Sequence, residues 1–296
     1  MKPQLAFLGT GIMGRPMCGR LLDHGYPVRV WNRSMEKAAP LSDRGGEVVG
    51  SPVEAVTGAD IVLVMLSSGA VVDEVVFGRR EHGGRVADHI DPGACVVVMS
   101  SIPVDASLVQ ADRLAGHGIA YVDAPVSGGE KGAVEANLTI MAGGESDVIA
   151  RVRGILECMG RLTHVGPIGS GQLAKLANQT IVGITIAAVS EALLLAQAGG
   201  ANPAAVQQAL VGGFADSTIL RLHGERIIEQ KFEPGAKAEI QLKDLRTSRE
   251  LAASLGLQLP VLQLTESLYR DMCDNGRADL DHSALYLELA ERCKHT

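Results

Sequence analysis

Lys175 stands at the front of an apolar run in the stretch "GSGQLAKLANQ", with Asn178 three residues on and Gln179 four residues on. Gly169, Ser170 and Gly171 read as a helix start, which puts the lysine near the first turn and both amides on its face. A cation there is opposed by the helix macrodipole, and desolvation acts in the same direction, so both bring the ammonium pKa down toward a range useful for proton transfer. A lysine so placed can stabilise, and then protonate, a carbonyl oxygen on which charge grows during reduction. The plain alternative is an ammonium that snorkels to water.

A second group lies in "DAPVSGGEKGA", residues 123 to 133. Ser127 offers a hydroxyl, and Gly128 with Gly129 lets backbone N–H groups converge on an anion, which suits a carboxylate-bearing substrate; a flexible turn is the plain reading. The third group is "LAFLGTGIMGRPM", where Gly9, Gly11 and Gly14 have GxGxxG spacing between a strand and a helix, with Ile12 and Met13 inside the turn. That context gives the glycines the roles of a dinucleotide-binding loop: a tight turn, close approach to a pyrophosphate, and close packing of helix on strand. The next strand ends in Asn32, Arg33 and Ser34, where a ribose-binding carboxylate would otherwise stand. A guanidinium and short polar groups accept a 2′-phosphate that a carboxylate would repel, which favours NADP(H) over NAD, unless Arg33 is only a solvated loop residue.

These groups need a frame that ends strands beside them. Runs at 5–9, 28–32, 61–66, 95–100, 120–125 and 138–144 are continuously apolar in several cases, as in strands buried on both faces of a parallel sheet. The fold class is therefore α/β, a Rossmann-like doubly wound sheet over residues 1–165, followed by an all-helical domain over 166–296 for substrate and oligomerisation. The helices of the second domain are broken by "GGAN", "VGGFAD" and "KFEPGAK". The longest apolar run, around 181–196, contains Ser190 and Glu191 and reads as a buried helix instead of a membrane span, with Glu191 a partnered buried carboxylate. For Lys243 and Asp244 the plain alternative is an exposed charged pair worth little to stability. A net charge of -7 and 3% aromatics argue against a nucleic-acid partner. Five scattered cysteines point to a reducing cytosol and to neither disulfides nor metal.

The chain resembles the β-hydroxyacid dehydrogenases over nearly its whole length, through "FLGTGIMGRPM", "DAPVSGGEKGA", "GSGQLAKLANQ", "QLKDL" at 241–245 and "LDHSAL" at 280–285. The resemblance implies a Rossmann-like domain, a long helix starting at the lysine motif, an all-α C-terminal domain, and a homodimer or homotetramer. It makes Lys175 the catalytic acid/base, assisted by Asn178 or Gln179, and Ser127, Gly128 and Gly129 the grip on the substrate carboxylate. Ser101, Met65, Leu66 and Lys243 join the cofactor set. Many members have asparagine four residues after the lysine; here Gln179 holds that place. "KLANQ" and "GGFADSTIL" are similar to the tartronate semialdehyde reductase branch, whereas "VWNRS" and "VMLSS" look more like the glyoxylate/succinic semialdehyde reductases. The implied reaction is hydride transfer from NADPH to a small semialdehyde carboxylate, tartronate semialdehyde to glycerate first, with a glyoxylate/succinic semialdehyde reductase or an oxidative 3-hydroxyisobutyrate dehydrogenase as alternatives. A catalytically silent dinucleotide-binding scaffold is the rival from outside the enzymes.

Overall fold

The computed structural model describes residues 2–78 and 85–294. It divides into two compact units, 1–175 and 176–296, the division falling inside one long helix.

The first unit alternates strands and helices. In chain order these are β1 (Leu5–Leu8), α1 (Gly14–Asp23), β2 (Val28–Trp31), α2 (Met35–Ala38), β3 (Glu47–Val48), α3 (Pro52–Val56), β4 (Ile61–Val64) and α4 (Gly69–Phe77). After them come β5 (Cys95–Val98), α5 (Val104–Ala115), β6 (Ala120–Asp123), β7 (Val126–Ser127), α6 (Gly129–Val134), β8 (Leu138–Gly143), α7 (Ser146–Leu156), β9 (Gly160–Gly166) and the start of α8 (Ser170–Ala198). The sheet runs β3-β2-β1-β4-β5-β6-β8-β7, with β9 paired to β8. Pairing is parallel from β3 through to β6, and β8 runs antiparallel to β6 and β7.

Both faces of this sheet are covered, which is why its strands lack polar alternation. Leu5 and Phe7 of β1 enter one apolar cluster with Met17, Leu21 and Val30. Their neighbours Ala6 and Leu8 enter another with Val62, Val64 and Val96. Local signals start the helices: the Ser51 and Ser68 hydroxyls accept from the backbone N–H of Glu54 and Val71 at the N-termini of α3 and α4.

The second unit holds the rest of α8 with α9 (Pro203–Leu210), α10 (Thr218–Ile228), α11 (Ala238–Ser254), α12 (Pro260–Met272) and α13 (Leu285–Lys294). Its core packs Ile186, Leu245, Leu262, Met272 and Leu285 around the fully buried Tyr269. Asn202 and Ser217 cap α9 and α10.

The long helix departs from the sequence reading. α8 has the length and composition to cross a membrane, and only 33% of its most apolar window is buried. Ile181 and Leu195 face outward, and Glu191 is exposed instead of being a buried, partnered carboxylate. At 29 residues α8 is roughly 43 Å long, more than one core can cover on every side.

Candidate active site

The strand order reverses between β1 and β4, and in such sheets ligands bind at the carboxyl ends of the strands on either side of that point. Residues 9–14 follow β1 there, and Met65 and Leu66 follow β4. Gly9 has φ +102°, and a Cβ on it would run into the Met65 carbonyl oxygen and lie 2.8 Å from Leu66 Cδ2. A Cβ on Gly14 would strike the Gly9 carbonyl. Gly11 differs, because nothing lies within 4 Å of its would-be Cβ. The fold does not require glycine at this position, whereas a ligand backed onto the loop would. Beside it the buried Thr10 Oγ1 has no hydrogen-bond partner among the described residues, and Ile12 is 65% exposed. These residues fit the pyrophosphate and adjoining rings of a dinucleotide.

The three polar residues after β2 do different things. Asn32 Oδ1 accepts from Thr10 N–H at 2.9 Å and its Nδ2 donates to the Ser34 carbonyl at 2.9 Å, so this amide ties the glycine loop to the β2 loop. Arg33 is exposed and makes no ion pair with a described residue. Ser34 begins α2 without a side-chain capping bond.

Further along the same sheet edge, Ser127 ends β7 and pairs with Thr139 of β8. Gly128 and Gly129 both have positive φ, +132° and +62°, and both are exposed. Lys175 is half-buried in the second turn of α8. The start of that helix is bound by Asp123, a fully buried carboxylate at the end of β6 that accepts from Gly169 N–H at 2.7 Å and Gln172 N–H at 2.8 Å. Burial pushes its pKa up, against the lowering effect of those backbone donors. Gln172 in turn holds the loop containing Ser101, accepting from Ile102 N–H at 3.0 Å and donating to the Ser100 carbonyl at 2.9 Å. Ser100 Oγ accepts from Leu66 N–H at 2.8 Å. Neither Asp123 nor Gln172 stood out in the sequence as a site residue.

Within the second unit, Asn178 and Gln179 belong to a chain of amides and charges. Asn178 Nδ2 donates to Gln179 Oε1 at 2.9 Å; Gln179 Nε2 donates to Asp244 Oδ2 at 2.7 Å and to Gln241 Oε1 at 3.3 Å. Lys243 Nζ lies 3.0 Å from Asp244 Oδ1. Asp244 is 2% exposed whereas the Lys243 side chain is 41% exposed, so the plain alternative of an exposed pair fails at Asp244. The carboxylate faces into the unit, where it fixes which end of the Gln179 amide points at Asn178. Close packing permits this: a Cβ on Gly183 of α8 would lie 2.8 Å from Gln241 Nε2 of α11.

The "LDHSAL" motif folds around one buried, hydrogen-bonded carboxylate. Asp281 accepts from Gly235 and Ala236 N–H and from Ser283 N–H and Oγ, at 2.6–3.2 Å. Among the described residues Asp281, His223 and His282 bring ligand-type atoms within 4.8 Å of one another, but four donors already occupy the carboxylate and Arg226 lies 3.6 Å away.

Two family models cover the chain. Residues 4–169 match the NAD-binding domain of 6-phosphogluconate dehydrogenase, and residues 169–289 match the NAD-binding region of NADP-dependent 3-hydroxyisobutyrate dehydrogenase. The chain is 41% identical to 2-hydroxy-3-oxopropionate reductase of Escherichia coli K12, over 99% of each chain. It is 34% identical to a probable 3-hydroxyisobutyrate dehydrogenase-like protein of Arabidopsis thaliana, over 97% of this chain and 85% of that one. A solved structure of Mycobacterium tuberculosis 3-hydroxyisobutyrate dehydrogenase with L-serine superposes with a TM-score of 0.88 at 30% identity, covering 98% and 99% of the two chains. With a dinucleotide loop at the switch point of the sheet and these matches along nearly its whole length, the chain belongs to the NAD(P)-dependent β-hydroxyacid dehydrogenases, oxidoreductases of small hydroxy acids and semialdehydes.

Proposed function

We propose that this protein is an NADPH-dependent reductase of a small semialdehyde carboxylate, and that tartronate semialdehyde, reduced to glycerate, is its substrate. The observation that carries the reading is Lys175 in the second turn of a helix anchored to the sheet edge that also bears Ser101 and the Ser127–Gly129 turn. The similarity to 2-hydroxy-3-oxopropionate reductase, whose substrate is the same compound under another name, supports the choice of aldehyde. Bound NADPH supplies the hydride. Lys175 Nζ stabilises the oxygen as it gains charge and donates the proton that completes the alcohol. Ser127 with the Gly128 and Gly129 backbone holds the carboxylate, and Asn178, steadied by Gln179, orients the hydroxyl-bearing end. The exposed Arg33 guanidinium and the Ser34 hydroxyl take the 2′-phosphate. Oxidation of 3-hydroxyisobutyrate by the same residues in reverse is the second reading, favoured by the M. tuberculosis structure. The working molecule in this proposal is a homo-oligomer in a reducing cytosol, in keeping with five free thiols.

The test is the rate of NADPH and, separately, NADH oxidation with tartronate semialdehyde, glyoxylate, succinic semialdehyde and methylmalonate semialdehyde. Fast turnover with NADPH and tartronate semialdehyde is expected, and Lys175→Ala lowers kcat at least ~10²-fold. Near-normal turnover by that variant removes the lysine from the chemistry.

A further inference from the structure

Asp123 and Gln172 meet at the first turn of α8, and both are fully buried. The two Asp123 oxygens each have a backbone donor, Gly169 N–H on Oδ1 and Gln172 N–H on Oδ2, with Gly171 N–H also turned toward the carboxylate. The Gln172 side chain uses both ends on the segment from Ser100 to Ile102, which brackets Ser101. At Gly143 and Gly171 there is no room for a side chain between helix and sheet. A Cβ on Gly171 would run into the Met141 carbonyl oxygen and lie 2.6 Å from the Asp123 carbonyl oxygen; one on Gly143 would lie 2.6 Å from Asp123 Oδ1. Backbone packed on backbone has no soft rotamer with which to absorb a shift.

Lys175 lies three residues beyond Gln172 and four beyond Gly171, one helical turn or about 5.4 Å along the axis. We propose that Asp123 and Gln172 are positioning residues for Lys175. They lock the first turn of its helix to the end of β6, four residues before Ser127, and to the loop of Ser101, so that proton donor, substrate turn and cofactor loop share one rigid joint. This rests on Lys175 being the proton donor proposed above. A carboxylate is required because both of its oxygens accept; an asparagine would turn an NH₂ group against a backbone N–H. A displacement of about 1 Å of a reacting group is enough to cost up to ~10²-fold in rate.

The experiment is a double-mutant cycle on kcat, using NADPH and the aldehyde that the protein turns over fastest. Asp123→Asn and Gln172→Met, each alone and each combined with Lys175→Ala, are assayed below their measured unfolding temperatures. Each single variant is expected to lose about tenfold or more in kcat with the aldehyde KM and NADPH affinity changed less than about threefold. In the Lys175→Ala background the same substitutions cost less than about twofold, because nothing remains to be positioned. Losses that multiply fully in that background, or both variants unfolding below the assay temperature, assign these contacts to stability and overturn the proposal. A crippled Lys175→Ala beside a normal Gln172→Met overturns the positioning alone, whereas a normal Lys175→Ala overturns the reading beneath it and the positioning with it.

Discussion

His223 shows how much a single ionisation can weigh in the helical unit. Its Nε2 lies 3.2 Å from His282 Nε2, and its Nδ1 lies 3.7 Å from Asp281 Oδ1. Two imidazoles that share a hydrogen bond need one nitrogen to accept, so at least one of the rings is neutral. Burial pushes the His223 pKa below the usual histidine value; Asp281 opposes this and Arg226 adds to it. A histidine depressed in the folded state binds its proton first in the unfolded chain, so stability falls as pH drops below about 6.5 toward the lowered value. Asp281 is itself held below the usual carboxylate range, burial being outweighed by His282 and the Ser283 donors, and stays ionised through that window. Thermal unfolding at pH 7.5 and 5.0 checks this: the wild-type loss of Tm on acidification is expected to exceed that of His223→Gln, and equal losses would remove His223 from the transition. Such residues are hard to see in a sequence because their partners are far along it. Asp123 finds its donor 46 residues away and Asp244 meets Gln179 at a separation of 65. The helix start ahead of Lys175 and the glycine loop, by contrast, could be read because helix start and loop spacing are local properties.

At the scale of the element, the glycine loop separates two reasons for one residue type. Gly9 carries both a positive φ and a backbone neighbour where its Cβ would go, so Gly9→Ala is expected to cost on the order of 2–4 kcal/mol of stability. Gly11→Ala meets open space and is expected to stay within about 0.5 kcal/mol of the parent. Its effect belongs to the ligand, with NADPH affinity weakened about tenfold or more. Denaturant melts and NADPH titrations of the two variants measure both halves; a Gly11→Ala protein that binds NADPH normally would take the pyrophosphate off this loop. The same distinction explains which elements were legible. β1, β4 and β5 stand out because four consecutive apolar residues are buried on two faces, whereas β3 and β7 are two residues long and have no periodicity to read. In α8 the uniform apolar composition conceals an exposed side, since composition averages over faces that packing distinguishes.

For the whole molecule, that exposed side is the strongest argument for association. Most of the large apolar side chains left in contact with solvent belong to the second unit, although it is the smaller of the two. Leu195 on α8 is 76% exposed, Phe214 is fully exposed, and α9 buries none of its residues. Covering side chains of this size contributes ~1.5–3 kcal/mol each, and a stable dimer needs about 800 Å² from each partner. A second copy of the chain is the proposed cover, since a two-fold interface presents each protomer with the same apolar surface. Light scattering at micromolar concentration is expected to give at least twice the 31.0 kDa of one chain. Leu195→Asp combined with Phe214→Asp should shift the mass toward that of a single chain, because unpaired like charges buried in such a contact cost more than the apolar gain they replace. The dinucleotide binding proposed for residues 9–14 and 32–34 should survive the dissociation, as those residues belong to the other unit. A single-chain mass for the unsubstituted protein would leave the apolar side of α8 without a partner of its own kind and would require a different one.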